Sequence, residues 1–152
     1  MTIETHHEGF LATRVQKAAF IVGLMFVAVG VLGFIPGATT GITAGVHAAG
    51  HDSDNLLLGV FQVSVLHNVL HLGLGLLGLV LAAKPRLAKL YLLGGGVIYL
   101  VLFVYGLFVA GQDSAANFIP LNWADNWLHL VLAIGMIGLA LVLGRRRAPA
   151  RA

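Results

Sequence analysis

The chain has 152 residues, of which 59% are hydrophobic and 10% are charged, and its mean hydropathy is +0.93. This is the length of one domain with a composition far from that of soluble proteins, so a water-soluble globular fold is excluded. The absence of cysteine excludes disulfides, thiolate metal sites, iron–sulfur clusters and covalently attached c-type haem. The net charge of +3 does not predict a nucleic-acid partner, because the positions of the basic residues follow membrane topology.

Four apolar runs are long enough to cross a bilayer, whose hydrocarbon core requires about 20 apolar residues per helix. They cover residues 18–34, 56–83, 90–110 and 123–143. Runs of this length suit helices rather than the strands of a membrane barrel, which are about 10 residues long and alternate in polarity. We therefore predict an all-α bundle of four transmembrane helices, with the lipid bilayer as its main partner. The membrane domain covers residues 14–145, between a flexible tail at 1–13 and a basic tail at 146–152.

Basic residues lie before the first run, between the second and third runs and after the fourth. They are Arg14, Lys17, Lys84, Arg86, Lys89, Arg145, Arg146, Arg147 and Arg151. The other two loops have no Lys or Arg and carry Asp52, Asp54 and Asp113 instead. The positive-inside rule therefore predicts that both termini and the middle turn are cytoplasmic. Trp123 and Trp127 then lie at the outer membrane interface.

Two polar segments, one in the second run and one in the fourth, align without a gap. The first is His-Asn-Val-Leu-His-Leu at His67–Leu72, and the second is Asp-Asn-Trp-Leu-His-Leu at Asp125–Leu130. The pattern Asn-x-x-His-Leu recurs, and an apolar run containing glycine follows each copy. This predicts an internal duplication in which the first two helices correspond to the last two, as in transporters with parallel repeats.

These segments supply a candidate metal site. His67 and His71 are four residues apart, as are Asp125 and His129, so each pair shares one helix face. At about 1.5 Å per residue from the basic helix ends, His129 lies between the heights of His67 and His71, in the outer half of the membrane. Ionisable groups inside a membrane mark functional sites by default. Three imidazoles and one carboxylate suit Zn, or Fe or Cu with open positions.

A second interpretation makes His71 and His129 the axial ligands of a b-type haem held between the second and fourth helices. In either case Gln62, Asn68 and Asn126 are predicted to border the layer or orient its ligands. The first outer loop contains His47 and His51, also four residues apart, which could capture a metal from outside.

A structural interpretation stays open beside these two. The histidines and asparagines would then only hydrogen-bond helices together, and Asp125 would stabilise the start of its helix. The chain would be an accessory subunit of a larger membrane complex, or would form a homo-oligomer. Transport would require an oligomer, because four short helices enclose little volume. An open metal position could activate water, but no motif identifies a substrate, and we assign no catalytic residue.

Four segments together resemble a known family. They are Leu-Gly-Val-Phe-Gln-Val at Leu58–Val63, the His67–Leu72 motif, Ala-Asn-Phe-Ile-Pro-Leu-Asn at Ala116–Asn122, and Ala-Asp-Asn-Trp-Leu-His-Leu at Ala124–Leu130. The chain resembles the small four-helix bacterial membrane proteins, common in actinobacteria, grouped as domain of unknown function 4383. The resemblance implies a four-helix fold and a location in the bacterial inner membrane. It implies no activity.

Overall fold

A computed structural model describes residues 9–41, 48–50 and 53–144, which form a bundle of four helices. The helices are α1 (Arg14–Leu32), α2 (Val65–Leu81), α3 (Pro85–Val109) and α4 (Trp123–Leu143). Three of them, α1, α3 and α4, are long and apolar enough to cross a membrane, whereas α2 has 17 residues and is shorter. At about 1.5 Å per residue, α2 is roughly 25 Å long. The predicted all-α four-helix architecture is therefore confirmed.

Local sequence signals define where the helices begin. Thr13 and Gln16 form a capping box at α1, and Asn122 and Asp125 form one at α4. Ser64 caps α2 by accepting a hydrogen bond from the backbone N–H of His67. These side chains satisfy backbone N–H groups that have no partner within the first helical turn.

A small β-sheet replaces the start of the predicted second helix. Its strands are β1 (Thr39–Thr40), β2 (Leu56–Leu57) and β3 (Phe61–Gln62), paired antiparallel in that order. The turn between β2 and β3 has φ of 53° at Leu58 and 71° at Gly59, a left-handed backbone that cannot continue a helix. The turn residues are apolar, so the hydropathy of the sequence does not reveal the turn. The predicted helix at 56–83 is helical only from Val65 to Leu81.

The two helical hairpins pack in equivalent ways. The helix pairs with the most extensive contacts are α1 with α2 and α3 with α4. A Cβ on Gly23 would lie 2.9 Å from the carbonyl oxygen of Gly75, and a Cβ on Gly96 would lie 3.1 Å from that of Ala133. Gly75 and Ala133 are equivalent in the sequence alignment of the polar segments, so the same close backbone approach occurs in both hairpins. This equivalence supports the predicted duplication.

The helices bury small and aromatic residues against each other and expose apolar ones outward. Ala19, Leu92 and Ala140 are fully buried, whereas Leu76, Val101 and Ile134 are exposed. All four helices carry exposed large apolar side chains, an arrangement that suits contact with lipid rather than water. The chain is therefore a membrane protein whose outer helical surface contacts lipid.

Candidate functional site

A row of five aromatic rings crosses the bundle and includes side chains from all four helices. The rings of His67 and His71 are stacked, with centroids 4.6 Å apart and an interplanar angle of 17°. The ring of His71 lies 5.7 Å from Phe26, which stacks on Tyr99 at 5.5 Å and 10°. The Tyr99 ring lies 5.2 Å from His129. We call these five residues the histidine layer.

Three of the four predicted ligands, His67, His71 and His129, belong to this layer. The His129 imidazole lies within electrostatic range of both His67 and His71. His67 and His129 are each 5% exposed, and His71 is partly buried. Burial at this level removes the imidazoles from solvent, so their ring nitrogens depend on partners within the protein or on a bound ligand.

Backbone carbonyls define which nitrogen carries the proton in two of these rings. Nδ1 of His71 lies 3.0 Å from the carbonyl oxygen of His67, and the His67 ring hydrogen-bonds to the carbonyl of Pro120. A carbonyl only accepts, so each ring donates an N–H. Nδ1 of His67 is buried with no partner in the described chain, so its donor is Nε2. A neutral His67 thus has its lone pair on Nδ1, and a neutral His71 has it on Nε2.

The stacking of His67 and His71 affects how they can bind a ligand. The lone pairs of an imidazole lie in the plane of its ring, so two nearly parallel stacked rings direct them side by side rather than toward a common point. Consistent with this, residues 9–41, 48–50 and 53–144 contain no group of three or more His, Asp or Glu side chains arranged to hold a metal ion. The predicted four-ligand set is not preformed.

Asp125 has a structural role at the outer end of the bundle. Its Oδ2 accepts hydrogen bonds from the backbone N–H of Asn122 at 3.1 Å and from that of Gln62 at 2.9 Å. The first bond completes the cap of α4, and the second joins β3 to α4. The Gln62 side chain donates to the carbonyl of Ser53 at 2.8 Å. Asp125 and Gln62 thus connect the sheet to the second hairpin.

Asn68 and Asn126, equivalent in the two segments, differ in their partners. Both are buried, and each packs against a glycine, Asn68 against the C-cap Gly33 of α1 and Asn126 against Gly106 inside α3. Nδ2 of Asn68 donates to the carbonyl of Gly33 at 2.9 Å. Neither amide atom of Asn126 has a hydrogen-bond partner in the described chain.

Several buried polar atoms at or near the layer are unpartnered, which here means that no described residue hydrogen-bonds to them. Nδ1 of His67, Nδ1 of His129, Oδ1 of Asn68 and both amide atoms of Asn126 are in this state. Such a group costs about 1–3 kcal/mol relative to a satisfied one. Unsatisfied groups in native structures commonly mark water, an ion or a functional role.

Two residues of the histidine layer, Phe26 and Tyr99, were not predicted from the sequence. Neither residue is assigned a role from the sequence, yet their stacked rings connect His71 to His129. The sequence does contain a signal for these two residues. Gly33 and Gly106 are separated by the same number of residues as Phe26 and Tyr99, so the internal repeat extends into α1 and α3. The predicted outer-loop pair, His47 and His51, lies outside the described residues.

The fold and the buried layer define a small polytopic helical membrane protein with a polar centre. The chain belongs to the family described as Domain of unknown function (DUF4383), whose family model matches residues 16–142. This confirms the resemblance found in the sequence. No curated protein and no solved structure matches the chain.

Proposed function

We propose that this membrane protein binds a transition-metal ion in its histidine layer, through Nδ1 of His67 and Nδ1 of His129. The observation that carries the proposal is that both nitrogens are buried and unpartnered. His129 lies within electrostatic range of His67, so the two imidazoles share one region of the bundle. Imidazole nitrogen is a common ligand of Zn, Cu and Fe.

The energetic argument favours a bound ligand over packing alone. An unpartnered buried nitrogen costs about 1–3 kcal/mol, and an apolar side chain of similar size would fill the same space without that cost. His67 already has its Nε2–H directed to Pro120, so a neutral ring leaves Nδ1 as the lone pair that an ion would accept. Orientation of a ligand histidine by a backbone carbonyl is the usual arrangement in metal sites.

The arrangement of the aromatic rings favours a metal ion over haem. A haem between α2 and α4 would use His71 and His129 as axial ligands on its two faces. The stacked rings of Phe26 and Tyr99 connect these two histidines, with Phe26 against His71 and Tyr99 against His129. A macrocycle between these two histidines would have to displace both aromatic rings.

The proposed ligand set is smaller than the set expected from sequence. Asp125 is omitted because the two backbone hydrogen bonds to its Oδ2 give the carboxylate a structural role at the sheet and at the cap of α4. His71 is omitted because its ring stacks on His67, so the two lone pairs do not converge. The ion would complete its coordination with other oxygen or nitrogen donors.

The test is metal binding by detergent-purified protein. The wild-type chain is titrated with Co²⁺ and Zn²⁺ and is analysed for bound metal after dialysis. We expect about one ion per chain, lost in the variant His67→Ala/His129→Ala. The control is His71→Phe, which preserves the stacked ring and should still bind the ion. A wild-type chain that binds no stoichiometric ion, or a double variant that binds as well as wild type, would overturn the proposal.

A structural role as an accessory subunit is the second candidate. It is favoured by the hydrogen bond from Asn68 to Gly33 and by the bond from Gln62 to Asp125, which join separate elements without any ligand. In this case His129→Ala would lower the stability of the bundle or its assembly with a partner, and no metal would be found. Under this second proposal, the chain assembles as a homo-oligomer or as part of a larger membrane complex.

We also propose that the chain lies in the bacterial inner membrane with both termini in the cytoplasm. Support comes from one end of the bundle, where Gln16 near the start of α1 donates to the carbonyl of Ala83 after α2. At the same end, Lys89 near the start of α3 donates to the carbonyl of Gly144 after α4. The basic residues of the N-terminal region and of the middle turn are therefore at a common end, and the positive-inside rule makes it cytoplasmic.

A further inference from the structure

We infer that Asn126 supplies an oxygen ligand to the ion in the histidine layer, the position that sequence reasoning gave to Asp125; this inference rests on the proposed function. Asn126 is 0% exposed, and both its Oδ1 and its Nδ2 are unpartnered. An asparagine amide can make up to four hydrogen bonds, so complete burial without one is unusual for this side chain.

The duplicated segment provides an internal comparison. Asn68 occupies the equivalent position in the first hairpin and donates to the carbonyl of Gly33 at 2.9 Å. Gly33 is the C-cap of α1, so its carbonyl oxygen is not required by a later turn of the helix. Asn68 is thereby used to join α1 to α2.

The equivalent bond is absent at Asn126. Its neighbour Gly106 lies inside α3, and the carbonyl of Gly106 already accepts the backbone N–H of Ala110 at 2.9 Å. The second hairpin therefore keeps the asparagine and the glycine against which it packs, but not the hydrogen bond. At position 126 both amide atoms are unpartnered, whereas at position 68 Nδ2 has a partner and Oδ1 has none.

Asn126 lies on α4 next to the proposed ligand His129. Residues three apart on a helix are neighbours, with Cβ atoms about 5–6 Å apart, and Asn126 precedes His129 by three. Both side chains are buried and packed toward α3, Asn126 against Gly106 and His129 against Tyr99. Asp125, next to Asn126, is engaged by the backbone of Asn122 and Gln62.

The donor set defines the class of ion. Two imidazole nitrogens and one amide oxygen suit borderline divalent ions such as Zn²⁺, Co²⁺ and Cu²⁺. Such a site is uncharged, so the ion keeps its two positive charges inside the bundle unless an anion completes the coordination. We therefore expect a small anion or hydroxide to enter with the metal.

The experiment compares two substitutions of the same kind in the intact chain. Asn126→Leu removes an unpartnered amide and is expected to raise the melting temperature of the metal-free protein. It should weaken Co²⁺ and Zn²⁺ binding at least about tenfold, as loss of a metal-site interaction does, and should change the visible absorption spectrum of the Co²⁺ complex. Asn68→Leu removes a satisfied hydrogen bond, so it should lower the melting temperature and leave Co²⁺ affinity within about twofold of wild type.

Two further variants make the outcome decisive. Asn126→Asp keeps an oxygen donor and should retain Co²⁺ binding, and Asn126→Ala repeats the removal in case the leucine does not fit beside Gly106. If wild type binds Co²⁺ and the Leu and Ala variants bind it equally well with the same spectrum, the role of Asn126 is overturned while the proposed function stands. If wild type itself binds no Co²⁺ or Zn²⁺, both are overturned.

Discussion

The amide of Asn68 donates to the carbonyl of Gly33 and lies so close to the Gly33 Cα that no side chain fits between them. A glycine at the end of α1 is thus matched to a buried asparagine in the first turns of α2. The bond satisfies a helix-terminal carbonyl within the membrane domain, where water is scarce, and it determines how closely the two helices approach.

Gly33→Ala should therefore destabilise the bundle. The added methyl group would displace the Asn68 side chain and break its hydrogen bond, leaving the Gly33 carbonyl and the amide without partners. We expect a loss of about 1–3 kcal/mol in the free energy of unfolding, measured by denaturant titration in detergent micelles. The matched control is Gly73→Ala, because a Cβ at Gly73 meets nothing within 4 Å. The proposed importance of the contact between Gly33 and Asn68 would be contradicted if both variants unfolded at the same denaturant concentration.

Asp125 should be important for stability and unimportant for metal binding. Asp125→Leu leaves the backbone N–H groups of Asn122 and Gln62 without an acceptor, at a cost of about 1–3 kcal/mol each. Asp125→Asn retains one acceptor oxygen and should lose less. Both unfolding free energy and Co²⁺ affinity are to be measured. Unchanged stability in Asp125→Leu would contradict the structural role of Asp125. Co²⁺ binding abolished in a stable Asp125→Asn variant would instead make the carboxylate a metal ligand.

The sequence predicted most of the helical architecture, because long apolar runs suffice to recognise transmembrane helices. The fourth run, 123–143, coincides with α4 at both ends, and α1 and α3 begin several residues before their predicted starts. The exception is the second run, where β2, the turn at Leu58 and Gly59, and β3 occupy its first residues. These residues are apolar, so the difference lies in backbone conformation, which hydropathy does not measure.

The level of the histidines in the membrane could be predicted from the sequence, but the contacts of their side chains could not. Helical spacing and depth along the helices were enough to expect His67, His71 and His129 at one level. The stacking of two of these rings was not predictable, because it depends on side-chain rotamers. Nor was the bond from Gln62 to Asp125, which joins residues 63 positions apart and requires the β-turn that the sequence did not reveal.

The aromatic pair at the centre of the layer gives a third prediction. Tyr99→Phe preserves the ring that stacks on Phe26 and contacts His129, so its stability should stay close to that of wild type. Tyr99→Leu removes both contacts and should lose about 0.5–1.5 kcal/mol beyond the difference in buried area. Denaturant unfolding of both variants would measure this. Equal losses in the two would assign the effect to the hydroxyl group rather than to stacking.

Membrane topology can be tested directly, because the chain contains no cysteine and single cysteines can be introduced without background. Ala83 and Ala115 are both exposed and lie in the loops after α2 and after α3. The positive-inside rule places the first in the cytoplasm and the second outside. Ala115→Cys should then react with a membrane-impermeant maleimide in intact cells, and Ala83→Cys should react only after the membrane is permeabilised. The reverse pattern would place the histidine layer in the cytoplasmic half of the membrane, and any metal would then have to arrive from inside the cell.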